Sequence, residues 1–243
     1  MQFGKSLLPL FGVDLSEGIP DDPMKIRYLG VAYHINREGY IATCSHIVAS
    51  LAKNESLVGV EMHGGSFFEL QDIQCHPLYD FAIARVSRKN YEVVPLCGKR
   101  EIFIGDDVLS YGYTSNGIVE GRHITMPRLF KGHIVRLHES PIVSDARSTC
   151  ELSFPSHNGF SGTPVLFNKP KTSMAGMLFG NYESTITLHK NSETIEPGKI
   201  YSEEIHKVVE LGIAHTAFDV RCFLRDLGLS KVALDTPTPD ALD

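Results

Sequence analysis

Gly159-Phe160-Ser161-Gly162-Thr163-Pro164-Val165 sets a serine between two glycines and follows it at once with a proline and an apolar run. Taken alone it reads as a tight turn, because glycine, serine, asparagine and proline punctuate loops everywhere, and Ser156-His157-Asn158 just upstream extends the pattern. A nucleophilic reading asks more of the chain. A serine hydroxyl attacks a carbonyl only with a base in hydrogen-bond reach, and that base needs a carboxylate to hold it in one tautomer. A histidine and an acid must therefore stand elsewhere in matching contexts.

Two such contexts lie upstream. Tyr40-Ile41-Ala42-Thr43-Cys44-Ser45-His46-Ile47-Val48 is an apolar strand that breaks into a turn, with a histidine at its exit. His76-Pro77-Leu78-Tyr79-Asp80-Phe81-Ala82-Ile83-Ala84 puts a carboxylate at the mouth of another apolar strand, where burial suits an orienting partner better than a solvated charge. Asp72 competes for that role but lacks the apolar strand after it. His76, His157 and His215 are assigned structural or surface roles, and Cys44 is read as a packed small residue.

Around these motifs the chain reads as predominantly β. Short segments rich in Val, Ile, Phe and Tyr recur at roughly ten-residue intervals between Gly and Pro, the signature of a sandwich or barrel. Expected strands are 28–35, 40–43, 57–62, 67–73 and 81–86, with His63-Gly64-Gly65-Ser66 turning a hairpin. A second set follows at 108–113, 129–137, 148–152, 164–167 and 175–179, with a boundary near 98–107, so that 1–100 and 101–243 are the expected domains. Two helices are expected late: 203–211, capped by Ser202, and 218–227, with Val220, Phe223, Leu224 and Leu227 on one face and Gly228 as its stop. Thr236-Pro237-Thr238-Pro239 reads as a frayed tail.

Composition narrows the function. A charged fraction of 21% with a net charge of −6 and interspersed signs leaves no basic cluster to track a phosphate backbone, so nucleic acid is not expected as a partner. No apolar run reaches the ~18 residues of a membrane span, and Met1–Leu10 lacks the parts of an export signal. The five scattered cysteines suit buried thiols in a reducing cytoplasm, the expected location. Neither Cys-x-x-Cys nor His-Glu-x-x-His occurs, so no metal or cofactor is expected.

Thr-x-x-His-Ile-Val, then Asp-x-Ala-Ile, then Gly-x-Ser-Gly-x-Pro-Val resembles the chymotrypsin-like serine peptidases, above all their bacterial trypsin-like branch related to the HtrA proteases. The order His, Asp, Ser separates this group from α/β-hydrolases and subtilisins, whose orders differ. The similarity runs over roughly residues 28 to 228, through Gly105-Asp106-Asp107-Val108-Leu109, Gly176-Met177-Leu178-Phe179-Gly180-Asn181 and Gly212-Ile213-Ala214-His215-Thr216-Ala217-Phe218. It implies an all-β fold of two six-stranded antiparallel barrels with a C-terminal helix, the first barrel carrying His46 and Asp80 and the second Ser161. It also implies a serine endopeptidase in which His46 is the base, Asp80 its orienting carboxylate, and Ser161 the nucleophile. The N–H groups of Gly159 and Ser161 would form the oxyanion hole, and Phe179, Gly180 and Asn181 an edge that pairs with an extended substrate.

Departures from the family pattern sharpen the expectation. Phe160 stands where secreted members carry the aspartate that pairs with a freed N-terminus, so that activation switch is not implied. Pro155 occupies the substrate-pocket position where a carboxylate would select Lys or Arg, which leaves a small or apolar P1 residue as the expectation. The peptide-binding regulatory domain of the HtrA proteases is not expected after Gly228. Residues 182–211 exceed the usual connection and are open to three readings, a lid, a surface for a regulatory protein partner or a plain insertion. The rival readings are a silent pseudoprotease that binds peptides and an esterase with the same triad.

Overall fold

The computed structural model describes residues 5–20, 22–62, 65–87, 92–96, 102–119, 122–138, 149–169, 173–196 and 199–229. His63 and Gly64 of the expected hairpin turn, part of the expected domain boundary, Cys97 and the tail lie outside them. β1 (Leu7–Val13) is buried along its whole length. Sequence reading passes over this strand because Pro9 cannot donate to a ladder. Pro9 faces Val31 of β2 (Ile26–His34), while pairing with the strand on the other flank begins only at Leu10, so the missing N–H lies where no neighbour needs it.

β3 (Tyr40–Thr43) leads into a short helix, α1 (Ser45–Ala49), and is followed by β4 (Ser56–Val60), β5 (Phe67–Glu69), β6 (Gln71–Cys75) and β7 (Ala82–Arg85). The strand order is β5-β4-β1-β2-β3-β7-β6. Only Leu70 separates the two end strands, so one segment pairs with β4 through its first half and with β7 through its second, curling the sheet back on itself. Seven strands appear in place of six because this segment is broken.

The second sheet is a closed six-stranded barrel, a closure that removes free edges. Its strands are β8 (Asp107–Val119), β9 (Arg122–His138), β10 (Thr149–Leu152), β11 (Pro164–Phe167), β12 (Met174–Glu196) and β13 (Lys199–Thr216), in the order β10-β13-β12-β11-β8-β9. A single apolar core runs through both sheets, from Leu8 and Tyr33 to Phe160, Phe167 and Phe223. The fold is therefore mostly β and chymotrypsin-like, as the motifs imply. Among the described residues no helix is long and apolar enough to cross a membrane.

The expected helix over 203–211 is overturned: this stretch belongs to β13. Ile205, Val208 and Val209 suit a helical spacing, but Tyr201, Ile205, Val209 and Leu211 also satisfy a period of two, and Ile205, Val208 and Val209 are β-branched. Pairing settles the choice, since Leu211 to Ser202 lie opposite Tyr182 to Ser192 in an antiparallel ribbon. The expected C-terminal helix does form, as α2 (Ala217–Asp226). Thr216 and Asp219 cap its start reciprocally, and Gly228 at φ +75° follows its end.

Two buried histidines make this fold acid-sensitive. Burial lowers His34 and His215 from the ordinary imidazole value to about 4. A group whose folded pKa is depressed in this way contributes stability that is fully present above ~6.5, the unfolded value, and is lost as pH falls toward 4. Urea unfolding at pH 7.5 and pH 5 should show stability falling by about 4 kcal/mol for the pair, with an unchanged m-value. His34→Gln should remove about half of that dependence.

Candidate active site

β3 ends at Thr43, and the chain turns into α1 with His46 in its first turn. Cys44, at the N-cap, makes no side-chain cap, so the exposed first-turn donors need another partner. Asp80 supplies it. Its Oδ1 accepts from the His46 N–H and from the Ser45 hydroxyl, each at 2.9 Å. Its Oδ2 lies 2.6 Å from His46 Nδ1. Burial pushes the Asp80 carboxyl up, but the hydrogen bonds and charge of His46 and the bond from Ser45 outweigh it and hold the group below the ordinary carboxylate range. An ionised Asp80 can only accept, so Nδ1 carries a proton, and in the neutral ring the lone pair is therefore on Nε2. The His46 side chain is 47% exposed, leaving that nitrogen accessible to a reactant.

Two consecutive turns share Phe160, and Ser161 lies in the second. Phe160 N–H donates to His157 O at 2.8 Å and Thr163 N–H to Phe160 O at 3.1 Å, with Gly159 (φ +86°) and Gly162 (φ +83°) at the third positions. A positive φ there is the type II pattern, which glycine meets without strain. The turn rests on the first sheet, because Val31 N–H donates to Ser161 O at 2.9 Å. A Cβ at Gly162 would overlap the Val31 carbonyl oxygen, and one at Gly30 would lie 2.9 Å from Ser161 O. Close backbone approach therefore requires both glycines. Leu178 O accepts from Gly162 N–H at 2.8 Å and from the Cys44 thiol at 3.4 Å, tying the serine turn to the residue two before His46.

The expected substrate-binding residues divide. Gly180 faces open space where a side chain would stand, on a strand whose pairing with β11 ends at Met177. Phe179 is bulged out of the ladder with β13 and stacks on His215 at 4.2 Å. Asn181 is spent on bracing: its side chain accepts from Ser156 N–H at 2.6 Å and donates to Ser156 O at 2.7 Å. This clamp fixes the loop that carries Pro155, whose neighbour Phe154 accepts from Gly212 N–H at 2.8 Å.

Two supports escape sequence reading, and a third residue takes the structural role expected of it. The Ser45 hydroxyl is one. The Tyr28 hydroxyl, 2.8 Å from Gly159 O and 2.6 Å from Tyr113 O, is a second, and its ring fills the space a Cβ at Gly159 would enter. His215 is the third: it is buried, and its Nε2 lies 3.2 Å from the Asp80 carbonyl oxygen. Its low pKa keeps it neutral, so Nε2–H donates there. Cys44, His46 and Asp80 bring three donor atoms within 4.8 Å of one another. They are poor metal ligands as arranged, because burial pushes the Cys44 thiol well up and the Asp80 oxygens are already hydrogen-bonded. Beside His46, a concavity of about 570 Å³ is walled by Val48, Pro77, Leu78 and Tyr79.

Known structures share this architecture. The serine endoprotease from Yersinia pestis aligns with a TM-score of 0.60 at 16% identity, over 94% of this chain and 64% of that one. An inactive serine-to-alanine form of Rv3671c from M. tuberculosis gives 0.57 at 17% identity, over 94% of this chain and 89% of that one. The HtrA-type protease AlgW with a tripeptide gives 0.58 at 14% identity, over 93% and 62%. The chain thus spans under two thirds of the length of the first and third. No curated protein matches it in sequence. The model of the trypsin-like peptidase domain matches residues 30–177, more than half of the chain, and the protein belongs to that family.

Proposed function

We propose that this chain is a serine endopeptidase in which Ser161 attacks the peptide carbonyl, His46 takes the hydroxyl proton at Nε2 and returns it to the leaving amine, and water then hydrolyses the acyl-enzyme. The observation that carries the reading is the Asp80 carboxylate at 2.6 Å from His46 Nδ1, locked by two further donors in the orientation that leaves Nε2 free. Support for the oxyanion hole comes from the type II turn at Gly159, with the N–H groups of Gly159 and Ser161 as donors, each worth roughly 10² to 10³ in rate. The backbone of Phe179, Gly180 and Asn181 receives a protein or peptide substrate as an added strand. Pro155 on the braced loop favours a small or apolar P1 residue.

Labelling with a fluorophosphonate tests this directly. The wild-type protein should form a covalent adduct on Ser161, and Ser161→Ala and His46→Ala should label at background. Cleavage of an unbiased peptide library should then show endopeptidase products. Peptide binding without labelling would point to the silent module instead, and ester turnover without peptide cleavage to the esterase.

A further inference from the structure

Beyond Asn181 and Gly212, β12 and β13 leave the barrel as a two-stranded ribbon. Its register sorts the side chains. Tyr182, Ile186, Tyr201, Ile205, Val209 and Leu211 share one face with the polar Ser184, His189 and Asn191, whereas Val208 falls on the other face with Glu204, His206, Lys190 and Thr187, which bond among themselves. Tyr182, Ile186, Tyr201 and Ile205 are 44–52% exposed. An isolated two-stranded ribbon is marginal in water, and a face on which six large side chains gather, against the single Val208 behind it, calls for a covering surface.

The charges on the apolar face identify the cover. On β13 that face carries Glu203 and Lys207, two residues either side of Ile205, and neither forms an ion pair among the described residues. A second copy laid face to face and antiparallel, with a two-fold axis through Ile205, sets residue 205+k over 205−k of its partner. Lys207 then meets the partner's Glu203, Glu203 the partner's Lys207, and Val209 the partner's Tyr201. Such self-complementarity is what an isologous interface requires. We infer that the β12–β13 ribbon is a self-association surface whose occupant is the same ribbon of a second copy. At about 3.3 Å per residue the described face is roughly 35 Å long and two strands wide. That is a small interface, which predicts a reversible dimer with a dissociation constant in the micromolar range.

Sedimentation velocity from about 1 to 100 μM tests the inference without reference to catalysis. The wild-type chain should pass from monomer to dimer across this range. Lys207→Glu and Glu203→Lys, each placing like charges opposite one another, should each weaken association by about tenfold or more. The double variant Glu203→Lys/Lys207→Glu restores opposite charges and should return to within about threefold of wild type, which a merely disruptive substitution would not do. A wild-type monomer throughout the range, association indifferent to the single changes, or no recovery in the double variant overturns the inference.

Discussion

Asp80→Asn is expected to lower kcat/KM by about four orders of magnitude while leaving the fold intact. The direction follows from the hydrogen bonds on each carboxylate oxygen. Oδ1 accepts from both the Ser45 hydroxyl and the His46 N–H, so an asparagine at this position must keep its carbonyl oxygen there. Its amide nitrogen is thereby turned toward His46 Nδ1, now 2.6 Å from Oδ2. An NH₂ group can only donate, so Nδ1 becomes the acceptor and the ring proton moves to Nε2. The base that should accept the Ser161 proton is then already protonated. Ser45→Ala removes only one donor to Oδ1 and leaves this tautomer logic in place, so its effect should be far smaller. Measurement of kcat/KM on a peptide found by library screening, with circular dichroism as the fold control, checks the pair. Asp80→Asn retaining activity within tenfold of wild type would remove Asp80 from the mechanism.

What the sequence makes legible is set by the range of the interaction that decides each feature. β3 and β11 run as expected, 40–43 and 164–167, because each is a short, predominantly apolar run whose strand pattern is local. β1 is hidden by Pro9, since only the missing neighbour at that point of the sheet makes a proline harmless there. The ribbon over 199–216 is misread as partly helical for a similar reason: its period is ambiguous until β12 is laid beside it. At the site, His46 and Asp80 are legible through the strands that present them. The supports are not. Tyr28 meets Gly159 across 131 residues and His215 meets Asp80 across 135, so no local pattern marks Tyr28, and a structural role can be expected for His215 without its partner being readable. Asn181 shows the remaining limit: its place on the strand after Gly180 is readable, but the spending of its side chain on Ser156 is not.

Phe223→Ala should then be the most damaging change away from the reacting atoms. Phe223 is fully buried on α2, and its ring meets Tyr79 at 4.9 Å, His76 at 5.1 Å, Phe81 at 5.2 Å and His215 at 5.1 Å. Tyr79 and Phe81 flank Asp80 in the chain, and His215 holds its carbonyl. The helix from the end of the chain thus props the loop that presents the carboxylate. Truncation to alanine empties a large aromatic volume at the junction of the two sheets, at a cost of about 3–5 kcal/mol. At 2–4 °C per kcal/mol for a chain of this size, Tm should fall by roughly 10 °C. Activity should fall further than the lost fraction of folded protein accounts for. With Tyr79, Phe81 and His215 free to settle, a shift of order 1 Å in Asp80 costs roughly 10²-fold in kcat. Phe223→Leu, which refills much of the volume, should restore most of the stability and of kcat. The measurement is kcat at a temperature where denaturant titration shows each variant fully folded. If Phe223→Ala proves less stable yet turns over at the wild-type rate, the loop is held by its own bonds, His76 N–H to Phe81 O at 2.8 Å and the Leu78 and Tyr79 N–H groups to His76 Nδ1 at 3.2 Å, and the helix contributes stability alone.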